Sequence, residues 1–302
     1  MLQKITNVIE SHARNFFHFR FKPDMLAQWV KPALIVLVTF ILLYIAGHFV
    51  PAGFDWVMHF EKGIVPPIWT PWTRVVIKFL NWPMVFAITL LAIGLRCFHN
   101  QRNPVPIFFA IVSLPTLWVL FIGNLDGIVL LGLLCLPWGA PLVLMKPQVS
   151  AFALLANKKS FIAGTVWVLL SLLIWGLWPL NFFMVLDPSW KVEWTQDISL
   201  FPWGLLIAIP LMWFSRKDED LLMAAGTFAT PHLFPYHFIM LMPSLARMKW
   251  PWMLSTWIIS WTPLLANWLG PIGWHFGNLM SVFFWLGIYF SRKSSQAVAA
   301  PE

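Results

Sequence analysis

Charged side chains make up only 11% of the 302 residues, against about a quarter in an ordinary soluble domain. So little polar surface excludes a globular domain that meets water on every side. Cysteine is nearly missing. The two copies, Cys97 and Cys135, lie in or beside apolar stretches without paired spacing, which excludes a disulfide framework and a thiolate metal site. Internal repeats and low-complexity linkers are also lacking, so the chain reads as one domain with short ends. No small-residue cleavage site follows the basic N-terminal stretch, and a cleaved signal peptide is not expected.

What is present is apolar and aromatic. Hydrophobic residues make up 59% of the chain, and uncharged runs such as Pro32 to Phe54, Val105 to Leu125 and Phe161 to Leu186 approach or exceed the span of a bilayer. Only helices satisfy their own backbone over such lengths in lipid. Many of the 21 tryptophans sit at segment ends, among them Trp69, Trp72, Trp190, Trp194, Trp250, Trp252 and Trp274, as in an interfacial aromatic belt. The net charge of +8 is spread in twos and threes between apolar runs, which argues against nucleic acid and for topology signals. Arg96 with Arg102, Lys158 with Lys159, Arg216 with Lys217, Arg247 with Lys249, and Arg292 with Lys293 mark the cytoplasmic side.

These features predict an all-α integral membrane protein with about ten transmembrane helices. The expected spans are 32–50, 74–97, 105–122, 125–137, 160–180, 201–214, 220–231, 236–247, 251–269 and 273–290. Gly139 to Ala156 breaks the parity and reads as a re-entrant or kinked segment around Lys146-Pro147. Residues 1–31 read as a cytoplasmic interfacial segment, 32–290 as the transmembrane domain and 291–302 as a cytoplasmic tail. Both termini then face the cytoplasm, and the location is the inner (plasma) membrane. Two longer outer stretches, Pro51 to Thr73 and Asn181 to Phe201, carry Asp55, Glu61, Asp187, Glu193 and Asp197.

Several polar residues need a reason to be where they are. Asp55, among aromatics in GFDWVMHFEKG, is either a proton acceptor with a raised pKa or a helix cap. Arg74 and Lys78 lie one helical turn apart and either hold a lipid phosphate or snorkel to headgroups. In GNLDG, Asn124 and Asp126 end a short apolar helix, where Asp126 is a functional acid or a cap. Lys146 stands alone in GAPLVLMKPQVSAF and requires an anionic partner, either Asp126 or a ligand phosphate. TPHLFPYH brings His232, Tyr236 and His237 into one turn as hydrogen-bond partners for a phosphate or sugar. No histidine spacing builds a metal site, and neither metal nor cofactor is expected.

In this order, the strings resemble the GT-C glycosyltransferases, and within them the polyprenol-phosphate-mannose-dependent mannosyltransferase-like group, glycosyltransferase family 87. The matching features are the first-loop acid of GFDWVMHFEKG, the proline-rich VPPIWTPW, the helix start GNLDG, the small-residue run GAPLVLMKPQ and the turn TPHLFPYH. The chain departs from the family at Asn124, where a glutamine is usual, and at His59, near which a tyrosine is usual. The resemblance implies a GT-C-like fold that moves a mannose-like hexose from a polyprenyl-phosphate donor to an acceptor on the extracytoplasmic side, with inversion. Asp55 would be the general base. Lys146, Arg74, Lys78, His232 and His237 would serve the donor phosphate, and Asn124, Asp126, Tyr236, His59, Trp56 and Trp72 the sugar or acceptor. The alternative is an inactive GT-C-like subunit or scaffold of a membrane complex, with other membrane proteins as partners. A transporter ranks third, because paired interrupted segments are lacking.

Overall fold

The computed structural model describes residues 23–63, 70–100, 103–187, 189 and 194–299. The expected N-terminal interfacial segment lies outside them except for its last residues. Arg102, Trp69, Trp190, Glu193 and most of VPPIWTPW also lie outside. Every described element is helical, and no strand occurs among the described residues. The chain divides into two units, Met1–Leu42 and Leu43–Glu302.

Helix α1, Pro23–Gly47, crosses that division. It begins well before the expected start at residue 32, since Pro32 is accommodated inside it. Leu34, Leu37, Val38 and Ile41 are exposed. An apolar surface of this kind suits hydrocarbon.

The second unit is a succession of helices cut short by proline and glycine. In chain order these are α2 (Thr73–Ile77), α3 (Trp82–Asn100), α4 (Val105–Ile111), α5 (Leu114–Ile122), α6 (Asp126–Leu134), α7 (Ala140–Val143) and α8 (Pro147–Ser150). They are followed by α9 (Lys158–Trp175), α10 (Leu205–Ser215), α11 (Glu219–Ala229), α12 (Trp250–Ile259), α13 (Ala266–Leu269) and α14 (Asn278–Ala299). Three helices are long and apolar enough to cross a membrane: Val30–Gly47 within α1, then α3 and α9. The pair α4 and α5, bent by 50° at its break, makes a fourth if counted as one span.

Of the about ten full spans expected, three or four helices among the described residues are long and apolar enough to cross a membrane. Proline explains most of the difference, because it removes an amide donor and clashes with the preceding turn. The expected span 74–97 is broken before Trp82-Pro83, where Asn81 Oδ1 accepts the Met84 amide at 2.9 Å. Span 236–247 is replaced by two 3₁₀ stretches, Pro235–Met240 and Met242–Arg247, each with proline in its first turn. Spans 251–269 and 273–290 are interrupted by further 3₁₀ turns at Thr262–Leu265 and Gly270–Gly277.

Gly139 to Ala156 is kinked, as expected. Lys146 leaves the helical region with φ −133° and ψ 83° between α7 and α8. Ser150 Oγ bridges the break, donating to the carbonyls of Val143 at 2.8 Å and Lys146 at 2.7 Å. The continuation to Ala156 is 3₁₀.

Helix α9 has an inverted polarity pattern. Its buried positions are the small Ser160, Gly164 and Ser171, while Phe161, Val166, Leu169, Leu173 and Ile174 are exposed. Small residues inward and large apolar residues outward is the pattern of a helix between protein and lipid. Helix α3 instead buries the stripe Val85, Thr89, Ala92, Ile93 and Arg96 against the rest of the unit. Gly127 at the start of α6 meets it so closely that a Cβ there would overlap Thr89. Gly127→Ala should lower stability by about 1–3 kcal/mol through overpacking. Thermal melting in detergent checks this, and an unchanged midpoint would refute the close approach.

Candidate functional site

Two glycines set the geometry around Asp55. Gly53 lies against the backbone of Phe121 to Gly123, where a Cβ would overlap main-chain atoms. Gly123 ends α5 in the left-handed region at φ 76°, a conformation that favours glycine. The contact brings the loop after α1 to the turn between α5 and α6. Asn124 Nδ2 then donates to Asp55 Oδ2 at 2.7 Å.

Asn124 is the joint of a longer chain. Its Oδ1 accepts Lys146 Nζ at 3.0 Å and the Leu125 amide at 2.7 Å. Lys146 Nζ continues to Asp126 Oδ2 at 2.6 Å. It also lies 4.8 Å from the centroid of the Tyr236 ring, within cation–π range. Asn124, Asp126, Lys146 and Tyr236 are all buried. Asp126 fills one oxygen with Lys146, while its Oδ1 has no hydrogen-bond partner among the described residues.

The break at Lys146 makes this meeting possible. An uninterrupted helix would keep its amides and carbonyls to itself, whereas residues 144–146 turn out of the ladder and place the ammonium against the start of α6. A buried ion costs several kcal/mol to dehydrate, so pairing and additional hydrogen bonds are needed to hold it. Lys146 has both, the pair with Asp126 and the bond to Asn124, and the face of the Tyr236 ring besides.

The turn of TPHLFPYH lies beside this chain. Tyr236 and His237 pack with centroids 4.5 Å apart, and the His232 and His237 rings are 5.9 Å apart. The Phe234 amide donates to His237 Nδ1 at 3.1 Å. An accepting ring nitrogen carries no proton, so neutral His237 holds its hydrogen on Nε2. His232 Nδ1 pairs with Asp197 Oδ2 at 2.9 Å, and Asp197 Oδ1 accepts the amides of Leu233 and Ser199, both at 3.0 Å. His59 stands 3.8 Å from Asp55.

Asp55 keeps 18% of its side chain exposed. Burial pushes its carboxyl above the ordinary carboxylate range, with Asp126 adding to the rise, against opposing pulls from Lys146, His59 and Asn124. For Asp197, burial acts upward, but the bonds from His232, Leu233 and Ser199 outweigh it and hold the group below its usual value. Asp55 and Asp197 are therefore set apart, one toward proton uptake and the other toward permanent charge.

An apolar cleft of about 320 Å³ adjoins the group, lined by Pro147, Gln148, Phe152, Phe182, Phe183 and His232 among others. Gln148 Oε1 is buried there without a partner among the described residues. No family model, curated protein or solved structure matches this chain.

Of the residues singled out from sequence, Asp55, Asn124, Asp126, Lys146, His232, Tyr236, His237 and His59 come together. Arg74 and Lys78 do not. They are exposed, on α2 and just past its end, and join none of the contacts above among the described residues. Trp72 is enclosed by Trp167, Trp175 and Trp178 and donates its indole hydrogen to Pro141 at 2.9 Å, so it is core rather than a sugar platform or interfacial ring. Trp56 is likewise 3% exposed, packed on Phe60 and Trp82 and bonded to Glu61 at 2.8 Å. Lys146 finds its anion in Asp126, the structural of the two partners foreseen for it.

Sequence reasoning passed over Asp197 as one outer-loop acid among five. Its signal is Asp197-Ile198-Ser199, since an aspartate two residues before a serine amide is the pattern of an Asx turn. A second ionic group was also missed. Asp220 is buried between Arg96 at 2.9 Å and Arg247 at 2.7 Å, and Asp218 binds Arg247 at 2.6 Å. Three residues counted as topology marks, Arg96, Arg247 and Arg292, thus face the run Asp218-Glu219-Asp220.

Proposed function

We propose that the protein is a membrane glycosyltransferase of GT-C type, which moves a mannose-like hexose from a polyprenyl phosphate to an acceptor hydroxyl on the extracytoplasmic side. The observation that carries this reading is the convergence of Asp55, Asn124, Lys146 and Asp126, from three separate strings, into one hydrogen-bonded chain. Asp55 is the general base. It takes the acceptor proton as the hydroxyl oxygen attacks the anomeric carbon from the face opposite the leaving phosphate, which gives inversion. A partly exposed acid whose pKa is raised by burial suits that role.

His232, held through Nδ1 by Asp197, is a donor for the leaving phosphate, and His237 stands beside it. The neighbouring apolar cleft suits the first isoprene units of the donor. Lys146 acts through Asn124, which it orients toward Asp55, and supplies positive potential to the site. On this reading the remaining short apolar helices complete a GT-C-like bundle in the plasma membrane, with both termini cytoplasmic.

A second reading is a non-catalytic subunit of a membrane complex. It is favoured by the closed Lys146–Asp126 pair, in which the ammonium already has its counter-ion. The two diverge in one assay, transfer of labelled hexose from a polyprenyl phosphate by the purified protein. Transfer supports the first reading; its absence across hexose donors, together with stable co-purification of other membrane chains, supports the second. Asp197→Asn should raise KM for the donor about tenfold with a smaller change in kcat, as loss of a binding contact requires. Equal losses in both constants would place Asp197 elsewhere in the mechanism.

A further inference from the structure

The end of α3 that carries Arg96 and Asn100 lies away from Trp82, whose indole bonds the Val50 carbonyl at 3.0 Å on the Asp55 side. A cleft of about 800 Å³ opens there, among Asn100, Arg247, Lys249 and Arg292. Three cations line it, and none of its lining residues is an acid. Asp218 and Asp220 approach Arg247, and Asp218 stands 3.5 Å from Arg292, from the side of a separate cleft of about 480 Å³, so these acids back the basic wall and partly balance its charge without themselves lining the cleft.

Two donors on residues that line the cleft are unanswered, although Asn100 borders the 480 Å³ cleft as well. Asn100 Nδ2 and Arg292 Nε are buried and have no hydrogen-bond partner among the described residues. A buried donor left unmade costs about 1–3 kcal/mol, so two in one cleft point to an acceptor-rich ligand. Arginine and amide donors match the oxygens of a phosphate, and the surplus of cations matches its charge.

The rest of the lining favours a lipid as the source of that phosphate. Apolar side chains continue the lining, with Met253 and Ile288 buried behind it, while Val105 and Trp250 are exposed, Trp250 at 56%. Asn100 ends α3, a helix long and apolar enough to cross a bilayer, and a tryptophan beside basic residues in the same cleft is suited to the headgroup level. We propose that this cleft binds the phosphate of an anionic membrane phospholipid, with Lys249, Arg292 and Asn100 as its donors.

Arg247 is left out of the test because it pairs closely with both Asp218 and Asp220, whereas Arg292 stands 3.5 Å from Asp218 alone. The protein is purified in neutral detergent and titrated with phosphatidylglycerol, phosphatidylcholine or inorganic phosphate, with bound lipid read by native mass spectrometry. Phosphatidylglycerol should bind more tightly than phosphatidylcholine, and Lys249→Gln combined with Arg292→Gln should weaken it about tenfold. Melting of the double variant in lipid-free detergent controls for folding. Lys249→Arg with Arg292→Lys, which keeps both charges, should retain most of the binding. Unchanged phosphatidylglycerol affinity in a folded double variant would overturn the site. Equal binding of the two lipids, or displacement of phosphatidylglycerol by millimolar inorganic phosphate, would overturn the lipid assignment. Sugar transfer does not enter these measurements, so their outcome is independent of the proposed enzyme activity.

Discussion

Lys146→Met should be among the most destabilising single substitutions in the chain, lowering stability by about 3–5 kcal/mol. The reason is what it leaves behind. Asp126 is wholly buried, its Oδ2 relies on Lys146 at 2.6 Å, and its Oδ1 has no partner among the described residues. Methionine keeps much of the volume and removes only the charge and its hydrogen bonds. The double variant Lys146→Met with Asp126→Asn removes both charges together and should recover much of the loss, because a buried pair contributes far less than the cost of stranding one member. Melting of the four proteins of this cycle in one detergent provides the measurement. A single variant that melts with the wild type would mean that Asp126 is neutral or solvated and that the ion pair is not a support of the fold.

Asp55→Asn should act on the chemistry and leave the fold nearly alone. Asparagine preserves the shape of the side chain and a bond to Asn124, but it cannot accept a proton from an attacking hydroxyl. The expected loss is about 10²- to 10⁴-fold in kcat, the usual contribution of general base catalysis. Wild-type activity should also fall as pH drops through the pKa of Asp55, since only the ionised form is a base. Burial raises that pKa, so the acid limb lies above the pH at which an exposed aspartate would lose its charge. The limb should vanish from whatever activity Asp55→Asn retains. Full retention of transfer in that variant would sink the mechanism, and an intact melting midpoint beside lost transfer would separate it from the stability effect at Lys146.

The sequence revealed the need for partners better than it revealed the partners. Lys146 was conspicuous because an ammonium among apolar residues must be paired, and Asp126 was already a candidate. Asp55 and Asn124 were each visible in their own motif, but their bond depends on Gly53 and Gly123 lying face to face, a contact between distant segments that no local pattern encodes. Helix class was legible from the apolar runs. Span number was not, because hydropathy does not register the prolines that turn 236–247 into two 3₁₀ stretches or separate Ile77 from Trp82. Tryptophan misled for a related reason. Trp72 has the composition of an interfacial residue, yet an indole whose N–H finds a carbonyl is as well placed in a core.

The pairing of Asp220 with both Arg96 and Arg247 bears on how the helices can move. Shifting the start of α11 away from the end of α3 would pull one buried carboxylate away from two guanidiniums at once. Tilting about that carboxylate would leave both bonds in place. The triple junction therefore ties the start of α11 to the end of α3 and to Arg247, so that a relative shift of these segments breaks two ion pairs together.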